Sequence, residues 1–279
     1  MAKLWRLSAL QLTSGPEPLA NLAKVDQLLA GLPRSAQHLA VLPEGVAVFA
    51  GPDGLNLQLA EVPGSGPLQS AYAELAKKYQ LHLLVGTLPT QTSDPTRFAA
   101  SSLLYNPQGE LIADYQKIHL FDALVNDSSK EYQESSSTVP GGKLSLVQLD
   151  ELKLGMLICY DMRFPGLAQA LAALGMNVMA VPSAFTTVTG EAHWHTLLRA
   201  RAIETQSFVV APAQVGTHIN GRQTYGHSLI IDPWGRILAE ADGSNEMALS
   251  VEIDLDLCQQ LAKKMPVRHH NRFQSEFKA

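Results

Sequence analysis

Residues 152–166 read LKLGMLICYDMRFPG. Leu154, Met156, Leu157 and Ile158 form a short, nearly unbroken apolar run, the pattern of a strand buried on both faces. The run stops at Cys159. Beyond Tyr160-Asp161-Met162-Arg163, the residues Phe164, Leu167, Ala168 and Leu171 fall at i, i+3, i+4 and i+7, the spacing of one helix face. A cysteine therefore stands where a buried strand turns into a helix. A turn of that kind holds one side chain at its tip, with backbone N–H groups close by. Such surroundings are expected to lower the thiol pKa and to offer donors to an oxyanion. On these residues alone, a buried core thiol and a nucleophile are both open.

The same alternation extends outward on both sides. Trp5–Leu12 reads as a strand, and Leu22, Val25 and Leu29 as a helix stripe ending near Gly31-Leu32-Pro33. His38–Leu42 is a short apolar strand that runs into Pro43-Glu44-Gly45. Leu68, Ala71, Tyr72, Leu75, Ala76 and Tyr79 keep helical spacing, and Leu81–Val85 is the next strand. After Cys159 come a buried strand at Asn177–Val181, a helix with Trp194, Leu197, Leu198 and Ala202 on one face, and strands at Phe208–Ala211 and Ala248–Ile253.

Two hairpins interrupt this pattern. LLYNPQGELIADY at 103–115 and LIIDPWGRILAEA at 229–241 can be written over each other, each with proline and glycine placed for a type I turn. The likeness is either shared hairpin chemistry or the mark of two related halves. Strands in both parallel-type and hairpin settings, with helices between them, predict layered α/β with mixed sheets. Whether there is one sheet or two is left open by the pattern. The stretch Asp122–Glu134 is the longest irregular region, and a long loop in a compact α/β domain is a candidate binding or lid segment.

Composition narrows the function. The chain has 279 residues, 46% of them hydrophobic, enough for a large core, and no low-complexity linker divides it; residues 1–279 read as a single domain. The net charge is −5 with no basic block, so nucleic acid is not an expected partner. No apolar run is long enough to span a bilayer, and MAKLWRLSALQL reads as the first strand rather than a signal peptide. The only cysteines, Cys159 and Cys258, exclude a disulfide framework and a four-cysteine zinc site, and a reducing, cytoplasmic setting is expected. Cys258, in the helical-looking LDLCQQLAKKM, reads as structural.

Three polar residues stand at strand ends: Glu44, Lys117 and Cys159. Brought together, they make a set suited to cleaving amides. The carboxylate takes the thiol proton, the thiolate attacks a carbonyl carbon, and the ammonium stabilises the negative charge that develops. Taken singly, Glu44 is equally a helix cap and Lys117 equally a solvated lysine. Spacing along the chain does not establish that they meet.

LPEG at 42–45, YQKIHLFD at 115–122 and GMLICYDMRFP at 155–165 resemble, in order and at similar separations, the three signature segments of the nitrilase superfamily of carbon–nitrogen hydrolases. The family's catalytic triad falls on Glu44, Lys117 and Cys159, and its second acid on Glu134 in YQESSSTVPG; Glu131 fits less well. The resemblance implies a four-layer α-β-β-α sandwich of two mixed sheets and a homodimer or larger homo-oligomer built through helix packing. It implies a thioester mechanism, with Lys117 and the backbone N–H of Tyr160 holding the oxyanion and with no metal or cofactor. His193 and His195, two apart on a helix, point to different faces and do not suggest a zinc pair.

The segments KIHLFD, ESSSTVPG, CYDMRFP, YGHS and DPWGRILAEADG are similar to the branch of the superfamily that holds the deaminated-glutathione amidases, whose sister group is the omega-amidases acting on 2-oxoglutaramate. The resemblance implies a small-molecule amide substrate with a 2-oxo acid end, cut to a 2-oxoglutarate product and ammonia or an amine. Arg163 is then a carboxylate partner or a structural ion pair. Phe185, Thr186 and Thr187 are expected to line the pocket, with Tyr225 and His227 approaching it. Tyr225 before GHS favours the larger, peptide-like substrate; the text of the 122–134 loop matches neither branch. Tyr160, not tryptophan, after the cysteine speaks against nitrile hydrolysis. Two readings from other classes are a non-catalytic binding protein, against which the intact triad argues, and a thiol redox sensor, for which Cys258 is badly placed.

Overall fold

Each of two sheets has six strands, and both repeat one pairing pattern. In the computed structural model, which describes residues 3–127, 131–273 and 276, the first sheet holds β1 (Leu4–Gln11), β2 (His38–Val41), β3 (His82–Gln91), β4 (Phe98–Tyr105) and β5 (Leu111–Gln116). A short hairpin follows, β6 (Asp122–Leu124) and β7 (Glu131–Gln133). The second sheet holds β8 (Leu146–Leu149), β9 (Leu152–Met156), β10 (Val178–Ala180) and β11 (Phe208–Ala211). A second small hairpin, β12 (Val215–Thr217) and β13 (Gln223–Tyr225), precedes β14 (Leu229–Ile231) and β15 (Ile237–Glu240) of the same sheet. Then β16 (Met247–Asp254) returns to the edge of the first.

The strand orders are β16-β1-β2-β3-β4-β5 and β8-β9-β10-β11-β14-β15. Read along either order, the pairings run antiparallel, parallel, parallel, antiparallel, antiparallel. The two similar hairpins of the sequence occupy equivalent places, β4–β5 and β14–β15. Each has a register shift where the outgoing strand ends, Leu104/Tyr105 and Ile230/Ile231. Each turn closes alike. Asn106 Oδ1 accepts from Gln108 and Glu110 N–H, and Asp232 Oδ1 from Trp234 and Arg236 N–H. Gly109 and Gly235 take φ +81° and +83°, which a side chain would strain. The internal likeness therefore marks two related halves.

Period-2 alternation makes the layers. In β2, Leu39 and Val41 join the core between the sheets, while Ala40 and Leu42 join the core under the first pair of helices. Those helices are α1 (Pro18–Ala30) and α3 (Pro67–Tyr79), with the one-turn α2 (Leu55–Gln58) between them in sequence. Val25, Leu29, Tyr72, Leu75 and Ala76 pack on the outer face of the first sheet. On the outer face of the second lie α4 (Pro165–Ala173) and α5 (Thr187–Thr205), through Leu167, Leu171, Trp194 and Leu198. Each such large apolar side chain, moved fully out of water, contributes about 1.5–3 kcal/mol. The chain closes with α6 (Asp256–Lys264) and α7 (Val267–His270), whose Arg268 donates to the carbonyls of Ala172 and Met176 at the end of α4. This is the four-layer α-β-β-α sandwich expected from the resemblance.

The expected irregular stretch 122–134 is partly ordered as the β6–β7 hairpin; its residues 128–130 lie outside the described residues. No helix among the described residues is long and apolar enough to cross a membrane.

Candidate active site

The turn that carries Cys159 is built around a buried carboxylate. Leu157 N–H donates to Ala180 O at 3.0 Å and Cys159 N–H to Pro182 O at 2.8 Å, so pairing with the β10 segment continues past the end of β9. Cys159 itself takes φ +46°, the left-handed region that a residue with a Cβ occupies at a cost. A 3-10 turn spans Cys159–Arg163, and α4 starts only at Pro165. Asp161, fully buried, holds this geometry. Its Oδ2 accepts from Ile158 N–H (2.9 Å) and Tyr115 O–H (2.8 Å), and its Oδ1 from His119 N–H (2.9 Å) and the His119 ring (2.7 Å). The imidazole of His119 in turn stacks on Phe164 at 3.7 Å. Asp161, His119 and Tyr115 are not among the residues that the sequence singles out, although all three stand inside the motifs.

Glu44 leaves β2 where the chain passes close to Gly86. A Cβ on Gly86 would stand 2.0 Å from Pro43 O, so only glycine lets β3 run that near. Gly45 N–H donates to Thr87 Oγ1 (2.7 Å), and Gln214 Nε2 to Glu44 O (2.9 Å), which fixes the backbone. Lys117 lies just beyond β5. Its N–H donates to Ala100 O and its carbonyl accepts from Gly141 N–H. Its ammonium is 2.7 Å from Glu44 Oε1, 2.8 Å from Glu134 Oε2 and 3.0 Å from Glu134 Oε1, and the side chain is 2% exposed. Glu134 also accepts from Phe121 N–H at 2.6 Å.

These charges set the protonation states. Burial alone drives the Lys117 ammonium down, but the charges of Glu134 and Glu44 outweigh it and hold the group well above its ordinary 10.5. Burial likewise favours neutral Glu44; the Lys117 charge and hydrogen bond prevail, helped by the Cys159 thiol and the charge of Arg222, and keep the carboxyl below 4.5. The Cys159 thiol moves the other way from the expectation. Burial, then the negative charge of Glu44, push it far above its ordinary 9.0, against the pull of Lys117 and an Ala184 backbone hydrogen bond. Two features remove the expected lowering. The regular helix begins only at Pro165, six residues beyond Cys159, and the Cys159 N–H is already spent on Pro182. Cys159 rests as a thiol facing a carboxylate, not as a thiolate. With Cys159 N–H engaged, the backbone N–H of Tyr160 is the next donor along this turn.

A cavity of about 520 Å³ contains Glu44, Lys117, Glu134 and Cys159. Tyr160 and Arg163 line it, as do Phe185 and Thr186. Thr187 does not: it is the first, exposed residue of α5, and Thr189, two positions further round the turn, lines the cavity in its place. Tyr225 is not a lining residue either. It packs across Gly190, where a Cβ would come within 2.3 Å of its ring, and stacks on His227 at 4.4 Å. Arg163 has no carboxylate within ion-pair distance among the described residues. Its guanidinium sits 5.0 Å over the Phe185 ring and meets His193 Nδ1 at 3.2 Å. The hairpin β6–β7 supplies Glu131, Tyr132 and Gln133 to the rim, and the loop of β12–β13 supplies Asn220 and Arg222, which the sequence reading missed.

Away from the cavity, His195 Nε2 and His227 Nδ1 both meet Glu240 Oε1, at 2.9 and 3.0 Å. These three side chains are the group among the described residues whose donor atoms could take a cation, and here the carboxylate serves both rings. Cys258 is buried, with Sγ 3.6 Å from Asn177 O, and burial pushes its thiol up to about 12; it is structural.

The carbon–nitrogen hydrolase family model matches residues 6–263. The chain belongs to the carbon–nitrogen hydrolase family. This carbon–nitrogen hydrolase is 42% identical over 96% of its length to a Yersinia enterocolitica protein described as deaminated glutathione amidase, of which the match covers 93%. It is 39% identical to the human protein of that description, over 94% of this chain and 80% of the other. Among solved structures, the Caenorhabditis elegans NitFhit protein matches with a TM-score of 0.88 and 33% identity, over 98% of this chain and 66% of that one. A Saccharomyces cerevisiae member of branch 10 of the nitrilase superfamily matches with a TM-score of 0.84 and 32% identity, over 97% of both chains.

Proposed function

We propose that this hydrolase is an amidase that cuts deaminated glutathione through a thioester on Cys159. The observation that carries the reading is the convergence of Lys117 with Glu44 and Glu134 beside a Cys159 held at the tip of a strained turn. The relatives described as deaminated glutathione amidases support the substrate, as does Arg163, a cavity cation without a carboxylate partner among the described residues, suited to the carboxylate of a 2-oxo acid.

Glu44 takes the Cys159 proton as sulfur attacks the amide carbon. The carbonyl oxygen becomes an oxyanion held by the Lys117 ammonium and the Tyr160 N–H, donors that cost no rearrangement at that moment. As the carbon–nitrogen bond breaks, the proton held by Glu44 passes to nitrogen. The bond in deaminated glutathione is a secondary amide, so an amine leaves, not ammonia. Water then gives a proton to Glu44 and its hydroxide to the thioester carbon, releasing 2-oxoglutarate. Sulfur departs and recovers the proton. Glu134, bound through two oxygens to Lys117, holds the ammonium charged and in place through both halves.

Turnover of deaminated glutathione and 2-oxoglutaramate, measured side by side, tests the substrate. The expected result is a higher kcat/KM for deaminated glutathione. Preference for 2-oxoglutaramate reassigns the chain as an omega-amidase, and turnover of neither by folded protein returns it to a binding role. Two further elements belong to the same reading. Exposed Ile203 of α5, with Trp234, Ile237 and Leu238 of the β14–β15 hairpin, suits a homodimer interface, which light scattering tests. Two buried, unpaired thiols suit a reducing cytoplasmic setting.

A further inference from the structure

The mechanism leaves one cation in the cavity without a task. Arg222 projects from the β12–β13 loop, and one terminal nitrogen donates to Ala184 O at 2.9 Å. Its guanidinium carbon lies 4.8 Å from the centre of the Phe49 ring and 5.1 Å from that of Tyr132. Its Nε is buried and has no hydrogen-bond partner among the described residues, and no carboxylate of those residues is within ion-pair distance. A guanidinium flanked by two rings and pinned at one nitrogen has lost its rotamer freedom before any ligand arrives. The remaining N–H groups present a planar fork, and a buried N–H left unpaired is costly until something accepts from it.

Arg163 and Arg222 reach the cavity from different elements, the turn after Cys159 and the β12–β13 loop. Two cations without carboxylate partners in one cavity call for two anionic groups on one ligand. We propose that Arg222 is a specificity residue that binds a carboxylate on the amine side of the scissile bond, while Arg163 binds the one on the acyl side. The preferred substrate class is then an amide carrying a carboxylate at each end. This rests on the amidase reading above. Deaminated glutathione fits it, since its glycine end supplies the second carboxylate; 2-oxoglutaramate has no group to offer Arg222.

The test crosses enzyme and substrate. Wild-type protein is given deaminated glutathione and its C-terminal carboxamide, which removes only the distal charge. The wild type is expected to favour the free acid at least tenfold in kcat/KM, chiefly through KM. Arg222→Gln is expected to bring that ratio close to one, and Arg222→Lys to restore part of it. A wild type without preference overturns the assignment, and so does a folded Arg222→Gln that keeps the preference. Equal loss on both substrates also overturns it, because Arg222 would then act through Glu44, whose carboxylate its charge supports. If Arg222→Gln does not fold, the wild-type ratio and Arg222→Lys decide. Failure of the wild type to cleave either compound defeats the amidase reading itself and is recognised separately.

Discussion

The ammonium of Lys117 stands 2.7 Å from Oε1 of Glu44 in a side chain only 2% exposed, and Glu134 closes on it from another element. One buried cation is thus shared by two carboxylates that belong to different segments of the chain. In the proposed mechanism its charge keeps Glu44 ready as a base, and the same charge is aimed at the oxygen on which the transition state develops negative charge. Structure and catalysis rest on one group, so its removal is felt in both.

Lys117→Ala leaves two partly buried carboxylates facing each other without a cation. Breaking a buried pair in this way costs about 3–5 kcal/mol of stability, and loss of an oxyanion donor about 10²–10³ in kcat. Urea unfolding and steady-state kinetics on the same preparation measure the two losses. A variant that folds as well as the wild type would contradict a structural role for the buried pair.

The pH profile of kcat/KM reports the free enzyme. Glu44 is held below 4.5, so activity is expected to persist as pH falls through the ordinary glutamate range and to fail only beneath it. The same depression contributes stability that is present above 4.5 and is lost as pH falls through the folded value. On the alkaline side, Lys117 lies well above 10.5 and gives no loss near neutrality. Glu44→Gln keeps the volume and removes the base; kcat is expected to fall about 10²–10⁴-fold. An acid limb centred above pH 5 would contradict the assignment of Glu44 as a carboxylate.

Asp161→Ala withdraws an acceptor from Ile158 N–H, His119 N–H and Tyr115 O–H at once. Each orphaned buried donor costs about 1–3 kcal/mol. The expected result is a large fall in melting temperature together with weaker turnover, as the Cys159 turn loses its brace. Asp161→Asn, which keeps one oxygen acceptor, is expected to lie between the two.

The sequence made legible what lies at the ends of regular strands. Glu44, Lys117 and Cys159 each stand where a strand ends, and the three motifs set them in a common site; the matched hairpins at 103–115 and 229–241 are equivalent parts of two like sheets. Less was legible where structure is short or irregular. Arg222 sits in a loop between two three-residue strands, which carry too few residues to show a period. Thr187 and Thr189 are two apart at a helix start, and only the true start of α5 decides which faces the cavity. Tyr225 is expected near the pocket from the resemblance alone, whereas Gly190 lets it pack against α5 instead. The thiol lies up rather than down because burial and the charge of Glu44 outweigh the turn, a balance that the chain alone does not weigh.

The most direct test of the account is turnover of deaminated glutathione by Cys159→Ala, with circular dichroism and thermal melting run on the same sample. The account predicts a native fold and a rate lower by about four orders of magnitude or more, the scale seen when a nucleophile is removed from a triad that acts as a unit. Appreciable 2-oxoglutarate release by the folded variant would contradict it.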